Sequence, residues 1–163
     1  MPKLVIIHGP TATGKSTIST LLVEKLTDFG FVDRAYIKNM LKRIGKPIAK
    51  RISDDASIFI IKELMIIKKN IFVQELGIEK IQSALIDVCQ DYEFYSFYLQ
   101  CSLPVAIERD NIRDKKTGTI EQIRLMHEHI RPSKQDTIID TEKNSVQECV
   151  NLILSKIGKD SLG

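Results

Sequence analysis

The sequence feature that most restricts the fold lies near the amino end, where a short apolar run leads directly into a glycine-containing loop. Residues 4–7 read Leu-Val-Ile-Ile, an unbroken run rich in β-branched side chains, which is typical of a strand buried on both faces. After His8, residues 9–16 read GPTATGKS and match the pattern G-x-x-x-x-G-K-[ST]. Apolar side chains then recur at helical spacing, at Ile18, Leu21, Leu22 and Leu26. The loop is therefore predicted to join a strand to a helix.

A loop of this pattern between a strand and a helix is suited to binding polyphosphates. Its glycines let the backbone wrap closely around an anion with the N–H groups pointing inward, and the helix N-terminus adds partial positive charge. We expect Lys15 to reach the β- and γ-phosphates and the Ser16 hydroxyl to complete the shell of a Mg²⁺ ion. The residues predicted to bind a nucleoside triphosphate are Gly9, Thr11, Ala12, Thr13, Gly14, Lys15, Ser16 and Thr17.

Length and composition indicate a single ordinary globular domain. The 163 residues, 43% hydrophobic and 28% charged, suit one buried core; we predict one domain over 1–158 with a tail at 159–163. No run is long enough to span a membrane and the amino end lacks a signal-peptide layout, so a cytoplasmic protein without a membrane partner is expected. The cysteines, an odd number lying far apart, are predicted to be reduced core thiols: Cys89, Cys101 and Cys149. The oligomeric state stays open.

The rest of the chain alternates short strands with helices. Further strands are predicted at 31–36, 71–73, 92–99 and 137–139. Helices are predicted at 37–51, from a Ser53 or Asp54 cap to 69, and at 78–88, 104–113, 120–130 and 146–157. Gly45 and Pro47 are expected to interrupt the helical pattern before that cap. Five strands separated by helices indicate an α/β protein with a parallel sheet and helices on both faces.

Two arginines and one glutamate are the further candidates for chemistry. Arg109 and Arg113 lie four residues apart, on one face of a predicted helix, and the polar stretch 115–119 follows. The segment of about 109–131 is predicted to act as a short helical lid whose arginines stabilise a transferring phosphoryl group; alternatively, Arg109 pairs with neighbouring acids on a solvated face. Glu75 follows the third strand, where it could hold a water on Mg²⁺ or accept a proton, or be an ordinary loop residue.

These features together resemble the small P-loop kinases, the group that includes polynucleotide kinase, zeta toxin, chloramphenicol phosphotransferase and seryl-tRNA kinase. The resemblance extends over nearly the whole chain and includes IEQIRLMHEHIRP at 120–132 and TIIDTEKNSVQECVNLIL at 137–154. It implies a three-layer P-loop NTPase fold with a five-stranded parallel sheet in the order 2-3-1-4-5. It also implies transfer of a phosphoryl group from ATP, with Mg²⁺, to a hydroxyl. No N-K-x-D sequence occurs in the chain, so the motif with which GTPases usually recognise the guanine base is missing.

One departure from these kinases concerns the acceptor base. They often place an aspartate at the end of the second strand with an arginine three residues later. With a strand over 31–36, those positions fall on Ala35 and Lys38, while Asp33 lies two residues earlier on the same strand face. Asp33 is therefore the candidate base that could substitute, with Glu75 as the other.

A basic segment follows this strand. It contains six cations with no acid among them: Lys38, Lys42, Arg43, Lys46, Lys50 and Arg51. These side chains either form a solvated helix surface or hold an anionic acceptor such as a nucleotide or an RNA end. The leading hypothesis is an ATP-dependent kinase acting on a small-molecule, nucleotide or RNA-end hydroxyl. A nucleotide-binding regulatory protein and a slow NTPase are the alternatives.

Overall fold

The strands of the chain form one parallel sheet. The computed structural model describes residues 1–114, 116 and 118–158. Among these residues the strands are β1 (Lys3–His8), β2 (Phe29–Asp33), β3 (Asn70–Gln74), β4 (Glu93–Gln100) and β5 (Asp136–Asp140). Their order in the sheet is β2-β3-β1-β4-β5. The predicted α/β class and the strand order implied by the kinase resemblance are therefore confirmed.

Helices connect these strands. They are α1 (Lys15–Lys25), α2 (Arg34–Met40), α3 (Lys46–Ile66), α4 (Ile78–Ala84), α5 (Ile86–Cys89), α6 (Leu103–Asn111), α7 (Ile120–His129) and α8 (Val146–Lys156). A single 3₁₀ turn, Lys42–Ile44, precedes α3. Capping boxes begin the last two helices: Thr119 and Gln122 start α7, and Ser145 and Glu148 start α8. Each box satisfies backbone N–H groups that the first helical turn leaves unpaired.

The second strand is shorter than its sequence predicts. Strand β2 ends at Asp33, and α2 begins at the next residue, so the expectation of a strand over 31–36 is wrong. The cause is local, because the Asp33 side chain accepts hydrogen bonds from the Ala35 and Tyr36 amides and caps the helix. Ala35 therefore lies in a helix, and Asp33 is itself the last residue of the second strand.

The helix α3 begins earlier than predicted. Gly45, with a φ of 92°, is its N-cap, and Pro47 lies in the first turn, where a missing N–H and a fixed φ are tolerated. Ser53 and Asp54 were expected to start this helix, but they are buried in its interior. Gly45 and Pro47 thus lie at the beginning of α3, where the sequence analysis predicted an interruption of the helical pattern.

The described residues form two compact units. The first contains Met1–Ile7 and Val23–Ser96, with a core in which α3, α4 and α5 cover apolar side chains of β1, β2 and β3. That core includes Leu4, Ile6, Val32, Ile61, Met65, Ile71, Val73, Ile78, Ile81 and Leu85. The second contains His8–Leu22 and the described residues from Phe97 onward. Its buried side chains include Ile18, Leu22, Phe97, Leu99, Val150, Ile153 and Leu154.

Two further expectations concern membranes and thiols. Among the described residues, no helix is both long and apolar enough to cross a membrane. Cys89 and Cys149 are buried and Cys101 is partly buried; that these thiols are reduced stays a prediction. Of the polar stretch 115–119, Lys115 and Thr117 lie outside the described residues, as does the predicted tail 159–163.

Candidate functional site

The glycine-containing loop has an unusual backbone conformation. Three of its residues have positive φ angles: Gly9 at 143°, Ala12 at 61° and Gly14 at 90°. Gly9 is also required by packing, because a Cβ atom on it would lie 2.3 Å from the carbonyl oxygen of Leu99 in β4. The main chain of the loop therefore passes against β4 at a distance that only glycine permits.

The loop lysine is held by the loop itself. Lys15 is only 6% exposed, and its Nζ atom donates a 2.5 Å hydrogen bond to the carbonyl oxygen of Pro10. The Thr13 hydroxyl donates to the same oxygen at 2.9 Å. Ser16 and Thr17, in the first turn of α1, are exposed. The ammonium group is thus positioned at the loop, and the two hydroxyls next to it are accessible to a ligand.

Helices α6 and α7 pack against the back of the loop. Ala12 forms a small buried cluster with Ala106 of α6 and Ile123 of α7. His127 of α7 contributes a hydrogen bond between its Nε2 atom and the carbonyl oxygen of Thr11, at 3.0 Å. These contacts support the loop, because interior packing resists changes of shape.

A cavity of about 390 Å³ lies beside the loop, within the size range of small-molecule sites. Both candidate arginines line it. The loop, α1, the end of α6 and the residues around the start of α8 contribute its walls: Ala12, Gly14, Thr17, Ile18, Arg109, Ile112, Arg113, Thr141, Asn144, Val146 and Cys149. The lining combines two arginines and residues of the loop with apolar side chains such as Ile18, Ile112 and Val146, a mixture that suits a ligand with both phosphate and apolar parts.

The two arginines differ in their surroundings. Arg109 donates from Nη1 to the Thr141 hydroxyl at 2.9 Å and from Nη2 to the Thr141 carbonyl oxygen at 2.7 Å, so its partner is not a neighbouring acid of α6. Arg113 lies beyond the end of α6, which stops at Asn111. The expectation that both arginines share a helix face is therefore wrong, although both line the same cavity.

The two candidate acids lie at the ends of adjacent parallel strands. Asp33 is the last residue of β2 and is paired in register with Gln74 of β3, and Glu75 follows directly. Burial raises the pKa of Asp33 above the ordinary value of 3.8; hydrogen bonds from the Tyr36 and Ala35 amides oppose this shift, and the charge of Glu75 adds to it. Both amide bonds go to Oδ1, so Oδ2 takes part in neither.

Glu75 stands in an unusual backbone conformation. Its φ is 70°, which a non-glycine residue adopts only when its surroundings impose it. Its amide donates to the carbonyl oxygen of Ile7 at 3.0 Å, which extends the pairing of β3 with β1 by one residue. Such conformations are concentrated at functional sites, so Glu75 stays a candidate.

The basic segment is mostly exposed. Lys42, Arg43, Lys46, Lys50 and Arg51 are exposed, whereas Lys38 is half-buried in α2. Burial lowers the pKa of Lys38, and the neighbouring Arg34 charge lowers it further, while Glu75 opposes the shift. Within the described part of the chain, no group of three or more histidines, cysteines or acids could by itself hold a metal ion.

Comparisons with known proteins identify the fold. Neither a protein-family model nor a curated protein sequence matches the chain. Among solved structures, the tunicamycin resistance protein of Deinococcus radiodurans has a TM-score of 0.70 at 17% identity, covering 97% of this chain and 96% of its own. A gluconokinase from Sinorhizobium meliloti has a TM-score of 0.68 at 14% identity, covering 97% and 93%. The thymidylate kinase of Candida albicans has a TM-score of 0.63 at 14% identity, covering 96% and 91%.

The chain has the fold of the small P-loop kinases. In this P-loop kinase fold the strand order and the loop after β1 agree with what the sequence resemblance implied. The similarity extends over almost the whole of each compared chain, at identities of 14% to 17%. At these identities the similarity shows the fold alone.

Three residues of this P-loop kinase fold were missed in the sequence. Thr141 and Asn144 line the cavity directly after β5; their place at the end of a predicted strand was the available signal. Arg34 was missed because its partner, Asp54, lies on another helix. An arginine directly after the candidate base was visible in the sequence, but its burial was not.

Proposed function

We propose that this protein is an ATP-dependent kinase that transfers the γ-phosphoryl group to a hydroxyl of a small-molecule, nucleotide or RNA-end acceptor. The observation that carries the proposal is the cavity lined jointly by the P-loop and by Arg109 and Arg113. Phosphoryl transfer depends on positioned cations around the transferring group, because negative charge spreads over its oxygens in the transition state.

Each candidate residue has a role in this reaction. The loop N–H groups and Lys15 bind the phosphates, and Arg113 stabilises the transferring group. Arg109, which Thr141 orients through two hydrogen bonds, is the other cation proposed to stabilise that group. Mg²⁺ neutralises phosphate charge when bound; Ser16 would ligate it, and Glu75 would hold one of its waters. The segment of about 109–131 is the proposed lid, because it carries Arg113, which lines the cavity.

Asp33 is the proposed acceptor base. A hydroxyl becomes a better nucleophile when a positioned carboxylate accepts its proton. Asp33 ends β2, its Oδ2 atom is outside the helix-capping bonds, and its raised pKa makes it a stronger base than an ordinary aspartate. The boundary of β2 supports this role, because Asp33 ends the strand, the position where the kinases that the sequence resembles often have their base.

A screen of hydroxyl acceptors with γ-labelled ATP tests the proposal. RNA 5′ ends, nucleosides and aminoglycoside-like molecules would be assayed with the parent chain and with Lys15→Ala. We expect transfer to one acceptor class, reduced about 100- to 1000-fold by the substitution, without loss of the folded circular dichroism spectrum. Equal turnover by Lys15→Ala would mean that the reaction takes place elsewhere.

A slow NTPase or a nucleotide-binding regulatory protein is the second candidate. It is favoured by the capping bonds of Asp33, which give this aspartate a structural reason to be present. Asp33→Asn separates the two, because asparagine caps helices as well as aspartate does but cannot accept the acceptor proton. A kinase should lose about 100- to 10,000-fold in transfer and keep its affinity for ATP, whereas hydrolysis by a slow NTPase should be unchanged.

A further inference from the structure

Next to the candidate base lies an arginine that is buried and held in place by an ion pair. Arg34 is 9% exposed, and its Nε atom donates to Oδ1 of Asp54 at 2.7 Å. The ammonium group of Lys80, from α4, bonds Oδ2 of the same carboxylate. Both oxygens of Asp54 are therefore occupied, and a single negative charge is shared between two cations.

The terminal nitrogens of Arg34 are not used by this ion pair. Within residues 1–114, 116 and 118–158, the side chain of Arg34 is paired only with Asp54 and only through Nε. The one buried side-chain nitrogen or oxygen without a hydrogen-bond partner in that part of the chain is Ser19 Oγ. Nη1 and Nη2 therefore reach solvent, although most of the side chain is covered.

A guanidinium group held by its Nε edge presents two parallel N–H donors in a fixed direction. That geometry matches the two oxygens of a carboxylate or a phosphate. Fixing the side chain before a ligand arrives also removes much of the entropy cost of ordering it. The positive charge of Arg34 extends beyond its ion pair, since it contributes to lowering the pKa of Lys38 one helical turn away.

We propose that Arg34 binds an oxyanion on the phosphoryl acceptor, a carboxylate or a phosphate group adjacent to the hydroxyl that Asp33 activates. Asp54 and Lys80 are positioning residues that fix the direction of the guanidinium. This inference rests on the proposed kinase function and narrows its acceptor to molecules carrying both a hydroxyl and an oxyanion.

Paired acceptors test the inference by transfer. Gluconate and sorbitol differ in a terminal carboxylate, and adenosine 3′-monophosphate and adenosine differ in a phosphate. We expect the anionic member of one pair to be the better acceptor. Arg34→Gln should lower its kcat/KM about 10- to 150-fold, the effect of losing hydrogen bonds to a charged group, and leave its neutral partner unchanged. Which pair responds identifies the oxyanion.

Control variants separate binding from folding. Lys62→Gln removes a positive charge from an exposed position of α3 and should change neither acceptor. Arg34→Lys keeps the charge but not the two parallel donors, so it should fold and still lose the preference for the anionic acceptor. Lys80→Met should raise KM for that acceptor a few-fold without changing kcat, and Lys80→Arg should restore it. Equal loss for both members of a pair, or loss for neither, would overturn the proposal.

A binding measurement covers the case in which no acceptor is phosphorylated. The full chain, saturated with Mg²⁺ and a non-hydrolysable ATP analogue, would be titrated with inorganic phosphate and with acetate while the arginine Nε–H resonances are followed by NMR. A saturable shift of the Arg34 signal, present in Lys62→Gln, would support the oxyanion site even if the kinase function fails. The absence of any shift with either anion would refute it.

Discussion

At the scale of single residues, one carboxylate, that of Asp33, caps a helix and is also the proposed acceptor base. Oδ1 holds the start of α2 through two backbone amides, and Oδ2 is left outside these bonds. Burial is the largest cause of its raised pKa, because an apolar environment disfavours the charged form. The same residue can therefore stabilise a helix start and serve as a base.

The raised pKa has a direct consequence for the pH dependence of transfer. A base must be unprotonated to act, so kcat/KM should fall as the pH decreases through the pKa of Asp33, and the midpoint of that fall should lie above 3.8. Asp33→Asn should remove this acidic limb along with most of the activity. A profile identical in parent and variant would assign the limb to another group.

Arg113 is the residue for which transition-state binding can be distinguished from ground-state binding. It lies beyond the end of α6 on the wall of the cavity. If it acts on the transferring group, Arg113→Ala should lower kcat more than it raises KM for ATP. Lys62→Ala, at an exposed position of α3, also removes one positive charge, and as the control it should change neither constant. An increase in KM alone would make Arg113 a ground-state phosphate ligand.

At the scale of elements, α2, α3 and α4 are joined by the ion pairs of Asp54. Burial by itself raises the pKa of this carboxyl, but the hydrogen bonds and charges of Lys80 and Arg34 outweigh it and hold the pKa below 3.8. The folded state therefore binds the Asp54 proton less tightly than the unfolded chain does. Stability from this group is present above pH 4 or so and decreases as the pH falls below that value.

Asp54→Ala tests this coupling between helices. Removing one partner of a buried ion pair costs about 3 to 5 kcal/mol, because Arg34 is then left buried without its counter-charge. We expect that loss in urea unfolding at neutral pH, and a smaller difference between variant and parent as the pH falls below about 4. Asp55→Ala, which breaks an exposed pair with Arg51, should cost about 0 to 1 kcal/mol at every pH.

At the scale of the whole molecule, positive charge is unevenly distributed along the chain. The net charge is only +3, yet the basic segment holds six cations without an acid. If the acceptor is an RNA end, binding of a 5′-hydroxyl oligonucleotide should weaken steeply with salt. Reversing charge at Lys42 and Arg43 should flatten that dependence more than reversing it at Lys62 and Lys69. Failure to bind at low salt would favour a small-molecule acceptor.

Local patterns in the sequence were sufficient for the architecture and for the phosphate loop. The loop is recognisable because its conformation depends on its own glycines and on the strand and helix beside it. The end of β2 was not recognisable in the same way. Tyr36 favours a strand and Ala35 favours a helix, and the side chain of Asp33 decides between them. Arg34 and Thr141 could not be found from local patterns, because their partners are far away in the sequence. Arg34 bonds Asp54, and Thr141 bonds Arg109.

The contact between Gly9 and Leu99 shows that part of the loop motif is needed for the fold itself, apart from any ligand. A side chain at position 9 is excluded by a backbone carbonyl of another strand, whether or not a ligand is ever bound. A descendant that no longer binds nucleotides would therefore still need glycine at this position to keep the fold. No such backbone contact requires lysine at position 15. Among divergent relatives, replacement of Lys15 would therefore indicate that the activity has been lost, whereas Gly9 would be kept in either case.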